Sequence, residues 1–225
     1  MFGRGKSGKN ADEVAEAVID NESRDHDEAD ASDAPAVVSA SGPRDISEVG
    51  PDDNRIDLGA LQVTGVPGLS LQVTVDETTK QVTMVTLVVE DAAVQVQAFA
   101  APKTTGIWDD VRGKIMASVT DGGGLVEEVQ GVFGTELRAR VAGQNGAMQP
   151  ARFVGIDGPR WFIRGLFLGS AATPAGHETL TKVFGDLVVV RGDEAMAPGD
   201  PLPMSVPTTD PAANATADPI VEPDS

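Results

Sequence analysis

A period-two alternation of apolar and polar side chains, repeated along residues 56–191, narrows the fold more than any other feature of the chain. In Leu69–Val75 (LSLQVTV), Leu69, Leu71, Val73 and Val75 point one way and Ser70, Gln72 and Thr74 the other, as in a strand with one covered face. Alternation recurs in Ala93–Ala100, Leu125–Phe133, Glu136–Val141, Arg152–Ile156 and Arg160–Leu168; Ile56–Thr64 reads as a first strand, Gln81–Glu90 as a longer, more fully buried one and Asp186–Arg191 as a closing one, with turns at Asp76–Lys80 and Asp157-Gly158-Pro159. Two stretches change period. Thr104–Asp121 places Ile107, Trp108, Val111, Ile115, Met116 and Val119 on one helical face, with Asp109 and Asp110 in its first turn and Gly122-Gly123-Gly124 at its end. Thr173-Pro174 supplies an N-cap and a first-turn proline for a helix to about Phe184, stopped by Gly185. The order ββββα, ββββα, β predicts an α+β fold, a mostly antiparallel sheet of about eight or nine strands with two packed helices. Two half-domains sharing one core is the alternative reading of the same order.

Charge divides the chain. The net charge is −18, yet residues 54–191 are close to neutral. Residues 1–53 carry five basic and fourteen acidic groups, and residues 192–225 carry seven acids with no Lys or Arg. The two ends hold few large apolar side chains, so burial there cannot offset the entropy of ordering them. The expected organisation is a disordered acidic leader (1–53), a single α+β domain (54–206) and a disordered acidic tail (207–225). No run approaches the ~18 apolar residues of a membrane span. Met1–Lys9 is basic but is not followed by an apolar run, so it is no signal peptide. The expectation is a soluble, cytoplasmic protein with no membrane partner.

Five segments together resemble an actinobacterial family of compact proteins known only as a domain of unknown function. They are IDLGALQV (56–63), QAFAAPKTTGIWDDVR (97–112), FGTELRARV (133–141), RFVGIDGPRWFIRG (152–165) and VVVRGDEAMAPGDPLPM (188–204). The resemblance implies a cytoplasmic protein and brings no activity, cofactor or catalytic residue. It also implies that Gly192–Met204 belongs with the core, as an extended arm to 206 anchored by Met196, Leu202 and Met204.

The residue inventory limits chemistry. Cysteine is absent, which excludes disulfides, thiolate metal sites and a cysteine nucleophile; tyrosine is absent, and histidine occurs twice. Asp109-Asp110 and Glu127-Glu128 are adjacent pairs whose side chains diverge on a helix or strand, so no metal is expected. His177-Glu178 is the one histidine–carboxylate pair of the middle, with Ser170, Thr173 and Asp157 as its candidate companions, but no glycine elbow or oxyanion-hole pattern accompanies it. No cofactor pattern emerges. Trp108 and Trp161 read as core anchors.

Arginine is the residue that stands out. Between Arg138 and Arg191, seven basic groups accompany three acids. Arg138 and Arg140 share a face in ELRARV, as do Arg160 and Arg164 in RWFIRG. If those strands neighbour one another, the four guanidiniums form a ladder suited to phosphates, carboxylates or an acidic peptide. The plainer account is solvent-facing charge opposite Glu127, Glu128 or Glu136. Nucleic acid is disfavoured by the net charge, and only Phe162, between Arg160 and Arg164, fits a stacking platform. Three functions follow in order. First comes a non-enzymatic binding or adaptor module working through protein contacts, next an anionic small-ligand domain using Arg138, Arg140, Arg160 and Arg164, and last an enzyme around Asp157, His177 and Glu178. The sequence leaves the oligomeric state open.

Overall fold

A computed structural model describes residues 42–52, 54–77, 81–104, 106–143 and 146–206. Residues 1–41 and 207–225, expected to be disordered, lie outside the described residues. The strands are β1 (Arg44–Asp45), β2 (Arg55–Asp57), β3 (Leu61–Thr64), β4 (Ser70–Val75), β5 (Val82–Val89), β6 (Ala92–Ala100), β7 (Leu125–Gly131), β8 (Gly134–Ala142), β9 (Met148–Gly158), β10 (Trp161–Gly169) and β11 (Val188–Val189). Two α-helices accompany them, α1 (Trp108–Asp121) and α2 (Glu178–Gly185).

The α+β class and the antiparallel pairing agree with the sequence, but the strands form two sheets. Seven run in the order β4-β5-β6-β10-β9-β8-β7, all antiparallel, and four in the order β1-β11-β3-β2, where only β1–β11 is parallel. The segment expected as one strand, 56–64, breaks in the middle. Gly59 takes φ +79 and donates its N–H to Asp57 Oδ1 at 2.8 Å, and Leu58 bonds back to the Leu61 carbonyl at 2.8 Å, so β2 and β3 fold into a hairpin.

Alternation assigns each strand two faces, and both faces of the large sheet are covered at its central strands β6, β10 and β9. On one, α1 buries Trp108, Val111, Ile115 and Val119 against Leu137, Ala139, Val141, Phe153, Phe162 and Leu166. On the other, α2 and the small sheet bury Leu180, Val183 and Phe184 against Val94, Val96, Val154, Ile163 and Phe167. A duplication about the antiparallel β6–β10 pair would place both helices on one face; here they lie on opposite faces.

Two glycines let the helices approach. A Cβ on Gly155 would overlap the Trp108 indole, and one on Gly165 would meet Phe184 Cε2 at 2.5 Å. Phe184 also makes edge contacts with Phe133 and Phe167 at 5.2 and 5.3 Å between ring centroids.

The first helix begins at Trp108 with Asp109 and Asp110 in its first turn, as the sequence suggests, whereas the second begins later than its Thr173-Pro174 signal. Ile107 gives α1 no side-chain cap; Asp157 on β9 reaches across to accept the Ile107 and Trp108 N–H groups at 2.7 and 3.2 Å. After the 3-10 turn Ser170–Ala172, Gly176 at φ +68 leaves the helical region, so α2 starts at Glu178 rather than after Thr173. His177 caps it, its Nδ1 accepting the Leu180 N–H at 3.4 Å.

The chain on either side of the alternating region completes the core. The β5–β6 ladder ends at Val85–Val96, and beyond it the arm takes over: Ala100 N–H donates to Asp200 O and Leu202 N–H to Ala98 O, both at 2.8 Å. Leu202 and Met204 are buried there. Folded structure also starts ahead of residue 54. Asp45 and Glu48 make a reciprocal capping box, and Asp45 Oδ2 accepts the Trp161 indole N–H at 2.9 Å, so 42–52 packs with the domain instead of extending the leader.

Substituting Gly155→Ala or Gly165→Ala is expected to cost about 1–3 kcal/mol through overpacking. Gly113→Ala, in the interior of α1 with nothing within 4 Å of a new Cβ, should instead stabilise by roughly 0.5–1 kcal/mol. Denaturant unfolding of the three variants at unchanged m-value checks both signs.

Candidate functional site

The structure separates the four arginines. Arg138 and Arg140 project from one face of β8, whereas Arg164 projects from the opposite face of the sheet, toward α1. Arg164 is buried, bonded to Gln97 Oε1, its guanidinium 5.8 Å from the centroid of Phe99. Arg160 is not in a strand. It occupies the second position of the two-residue β9–β10 turn at φ +65, because Pro159 before it is held at negative φ. Its carbonyl accepts the Ala101 N–H at 3.0 Å and Arg191 Nε–H at 3.1 Å, which holds that uncommon geometry. Phe162 is fully buried and stacks on Phe99 and Trp108 at 6.1 and 6.0 Å, so it offers no exposed platform.

On the face of Arg138 and Arg140, a third arginine takes a fixed role that spacing did not reveal. Arg152 lies directly across from Arg138 and forms a two-pronged pair with Glu136, Nε to Oε2 at 2.7 Å and NH2 to Oε1 at 2.9 Å. Both side chains are buried, and the Arg152 guanidinium sits 4.7 Å from the Phe167 centroid. The Glu136 carboxylate fills the space where a Cβ on Gly131 would sit. Glu128, on the other face, is held by Arg112 at 2.6 Å, which also binds Asp109 at 2.7 Å. Two of the three glutamates expected opposite the arginines are thus engaged away from Arg138 and Arg140.

Those two arginines border a groove. Leu125, Val126, Glu127, Arg138, Ala139 and Arg140 line an open depression of about 300 Å³ where β7 meets β8. Leu125, Arg140 and Pro150 are register partners in one row across β7, β8 and β9, and all three are exposed, Leu125 to 68%. Met148, on the same face one pair further along, is 40% exposed. β7 is the last strand of the sheet, so its outer edge pairs with nothing among the described residues. Neither Arg138 nor Arg140 makes an ion pair among the described residues, and the Arg138 Nε is buried without a hydrogen-bond partner. Glu127 is the register partner of Arg138 and shares its face, whereas Arg140 stands between Leu125 and Pro150; unpaired main-chain groups, the exposed Arg140 and exposed apolar side chains together suit an extended segment that carries a carboxylate, or a small anion.

The residues of the enzyme reading are not brought together. Asp157 caps α1 on one face of the sheet, while His177 caps α2 on the other. Ser170 Oγ donates to Asp91 at 2.9 Å, and Thr173 Oγ1 donates to the Ser170 carbonyl at 2.8 Å. Burial pushes the Asp157 carboxyl above its ordinary range and Asp109 adds to the rise, with the Ile107 and Trp108 N–H groups acting against it. Among the described residues no group of three or more His, Asp or Glu side chains is placed to hold a metal ion, and no helix is long and apolar enough to cross a membrane.

A family model described as a protein of unknown function, DUF3710, matches residues 42–213. No curated protein and no solved structure matches the chain. The matched span begins at the first described residues, ahead of the capping box at Asp45 and Glu48.

Removing one partner of the buried pair, by Arg152→Ala or Glu136→Ala, leaves a desolvated charge and is expected to cost about 3–5 kcal/mol in equilibrium unfolding. Asp157 gives a pH signature. A carboxyl with a raised folded-state pKa adds stability that is fully present below its unfolded value, 3.8, and lost as pH rises through the folded one. The stability lost on Asp157→Asn should therefore be largest below that value and shrink toward neutral pH; a loss that grows with pH contradicts the assignment.

Proposed function

The chain belongs to the DUF3710 family of proteins of unknown function, and we propose that it is a non-enzymatic binding module whose rigid core presents the β7 edge and the adjoining arginine groove to another protein. The observation that carries this reading is the Leu125–Arg140–Pro150 row, exposed apolar and cationic side chains beside an unpaired strand edge. An extended partner segment adds main-chain hydrogen bonds along such an edge, and alternate side chains of that segment reach the groove. A cytoplasmic, actinobacterial setting belongs to the same reading and is supported by the sequence resemblance.

A small-anion role is the second reading, favoured by the buried, unpartnered Arg138 Nε and a volume near the lower end of the roughly 300–1,000 Å³ of ligand pockets.

The two readings separate experimentally. Immobilised full-length protein should retain one stoichiometric protein from cell lysate, and Arg138→Glu/Arg140→Glu should lose it. Equal retention by the double variant removes the groove from the interaction. Stabilisation of the parent protein by millimolar phosphate or citrate, abolished in the double variant and without a retained protein, would favour the anion.

A further inference from the structure

We infer that two copies of the chain associate through β4, antiparallel about Gln72, so that their seven-stranded sheets join into one. This surface lies at the opposite edge of the sheet from the β7 groove, and among the described residues β4 pairs only with β5. Edges that stay single carry charge, proline or a cover. β7 follows that rule with Glu127 and Glu128. β4 does not. Residues 58–75 hold no charged side chain in a chain of net charge −18, and Ser70–Val75 contains no proline. Its one register shift lies at its end, between Thr74 and Val75. Leu69, Leu71 and Val73 pack against the core but are only partly buried, and Val75 is 40% exposed. The core therefore ends in an open apolar rim at this edge.

The phase of the ladder sets which main-chain groups face outward. Val89 and Ala92 flank the two-residue turn Glu90-Asp91, so they form a hydrogen-bonded pair, and bonded pairs alternate from there through Leu87–Val94 and Val85–Val96. Val88, Thr86 and Met84 then bond to the other side, to Ser70, Gln72 and Thr74. Asp76 keeps that phase, its N–H donating to the Gln81 carbonyl at 2.9 Å. The N–H and C=O groups of Leu71 and Val73 are left pointing away from β5. The segment around Gln72 is its own match. In LSLQVTV, pairing about Gln72 sets Leu69 against the partner's Val75, Ser70 against the partner's Thr74 and Leu71 against the partner's Val73. Leu71 and the partner's Val73 exchange main-chain bonds, and the two Gln72 side chains meet in the closer, non-bonded pairing. Apolar rims then meet on one face and hydroxyls and amides on the other. Pairing about Val73 instead sets Leu69 against Glu77, and pairing about Leu71 sets Val75 against Pro67, which has no N–H to give.

Residues 69–75 on each side fall well short of the roughly 20–30 residues of a standard interface, so the dimer is weak and concentration-dependent. Sedimentation equilibrium of the full-length chain should show the mass rising from monomer toward dimer between about 10 μM and about 1 mM. Added salt should strengthen association, because screening relieves the repulsion between two chains of net charge −18 and no ion pair is lost. Val73→Pro removes an outward N–H without touching the β4–β5 bonds and should abolish the dimer. Gln72 is exposed, so its variants leave the monomer intact. Gln72→Lys and Gln72→Glu should each weaken association roughly fivefold by setting like charges opposite, and an equimolar mixture of the two should restore it. A chain that stays monomeric over this range overturns the inference. So does a dimer that keeps its affinity in both Gln72 variants, a mixture no tighter than either variant alone, or an association that weakens with salt or is lost in Arg140→Glu.

Discussion

The register between β6 and β10 is the constraint on which the rest of the structure depends. Nine residue pairs join these strands from Trp161–Ala100 to Gly169–Ala92, and seven of the nine β10 residues are buried. Covered on both faces, β10 reads as a nearly unbroken apolar run, WFIRGLFLG, rather than an alternating one. Its parity still decides everything packed on it. Trp161, Ile163, Gly165 and Phe167 meet α2 and the small sheet, while Phe162, Arg164 and Leu166 meet α1. A slip of one residue would send Arg164 toward Phe184 and take away the gap that Gly165 provides.

Buried charge is tolerated in this sheet only where the geometry is tight. Arg138 and Arg152 are direct register partners, an arrangement that like charges disfavour. Glu136, two residues along β8 from Arg138, resolves it by taking Arg152 with two hydrogen bonds and screening it against Phe167. Desolvation makes such a pair a weak source of net stability, although losing either half is costly. Its stronger effect is on placement. With Arg152 and Glu136 satisfied by each other, Arg138 is left facing Glu127 of β7, and Arg140 stands exposed between Leu125 and Pro150.

Much of this architecture was legible in the sequence. Alternation located the strands of the large sheet, and the 3.6-residue period located the buried face of α1. What failed to show had physical reasons. Spacing tells which residues share a face within a strand, but crossing a hairpin requires the loop length. The β8–β9 connection pairs Arg138 with Arg152, even number with even, whereas the two-residue β9–β10 turn pairs Arg152 with Phe167, even with odd. Arg164 is thereby inverted relative to Arg140, and the expected four-arginine ladder does not form. The hairpin within 56–64 was hidden because Asp57 and Gly59 interrupt an apolar pattern that continues on either side. The capping box of Asp45 and Glu48 carried a readable signal, Asp-x-x-Glu ahead of a glycine and proline, that the surrounding acidic composition masked.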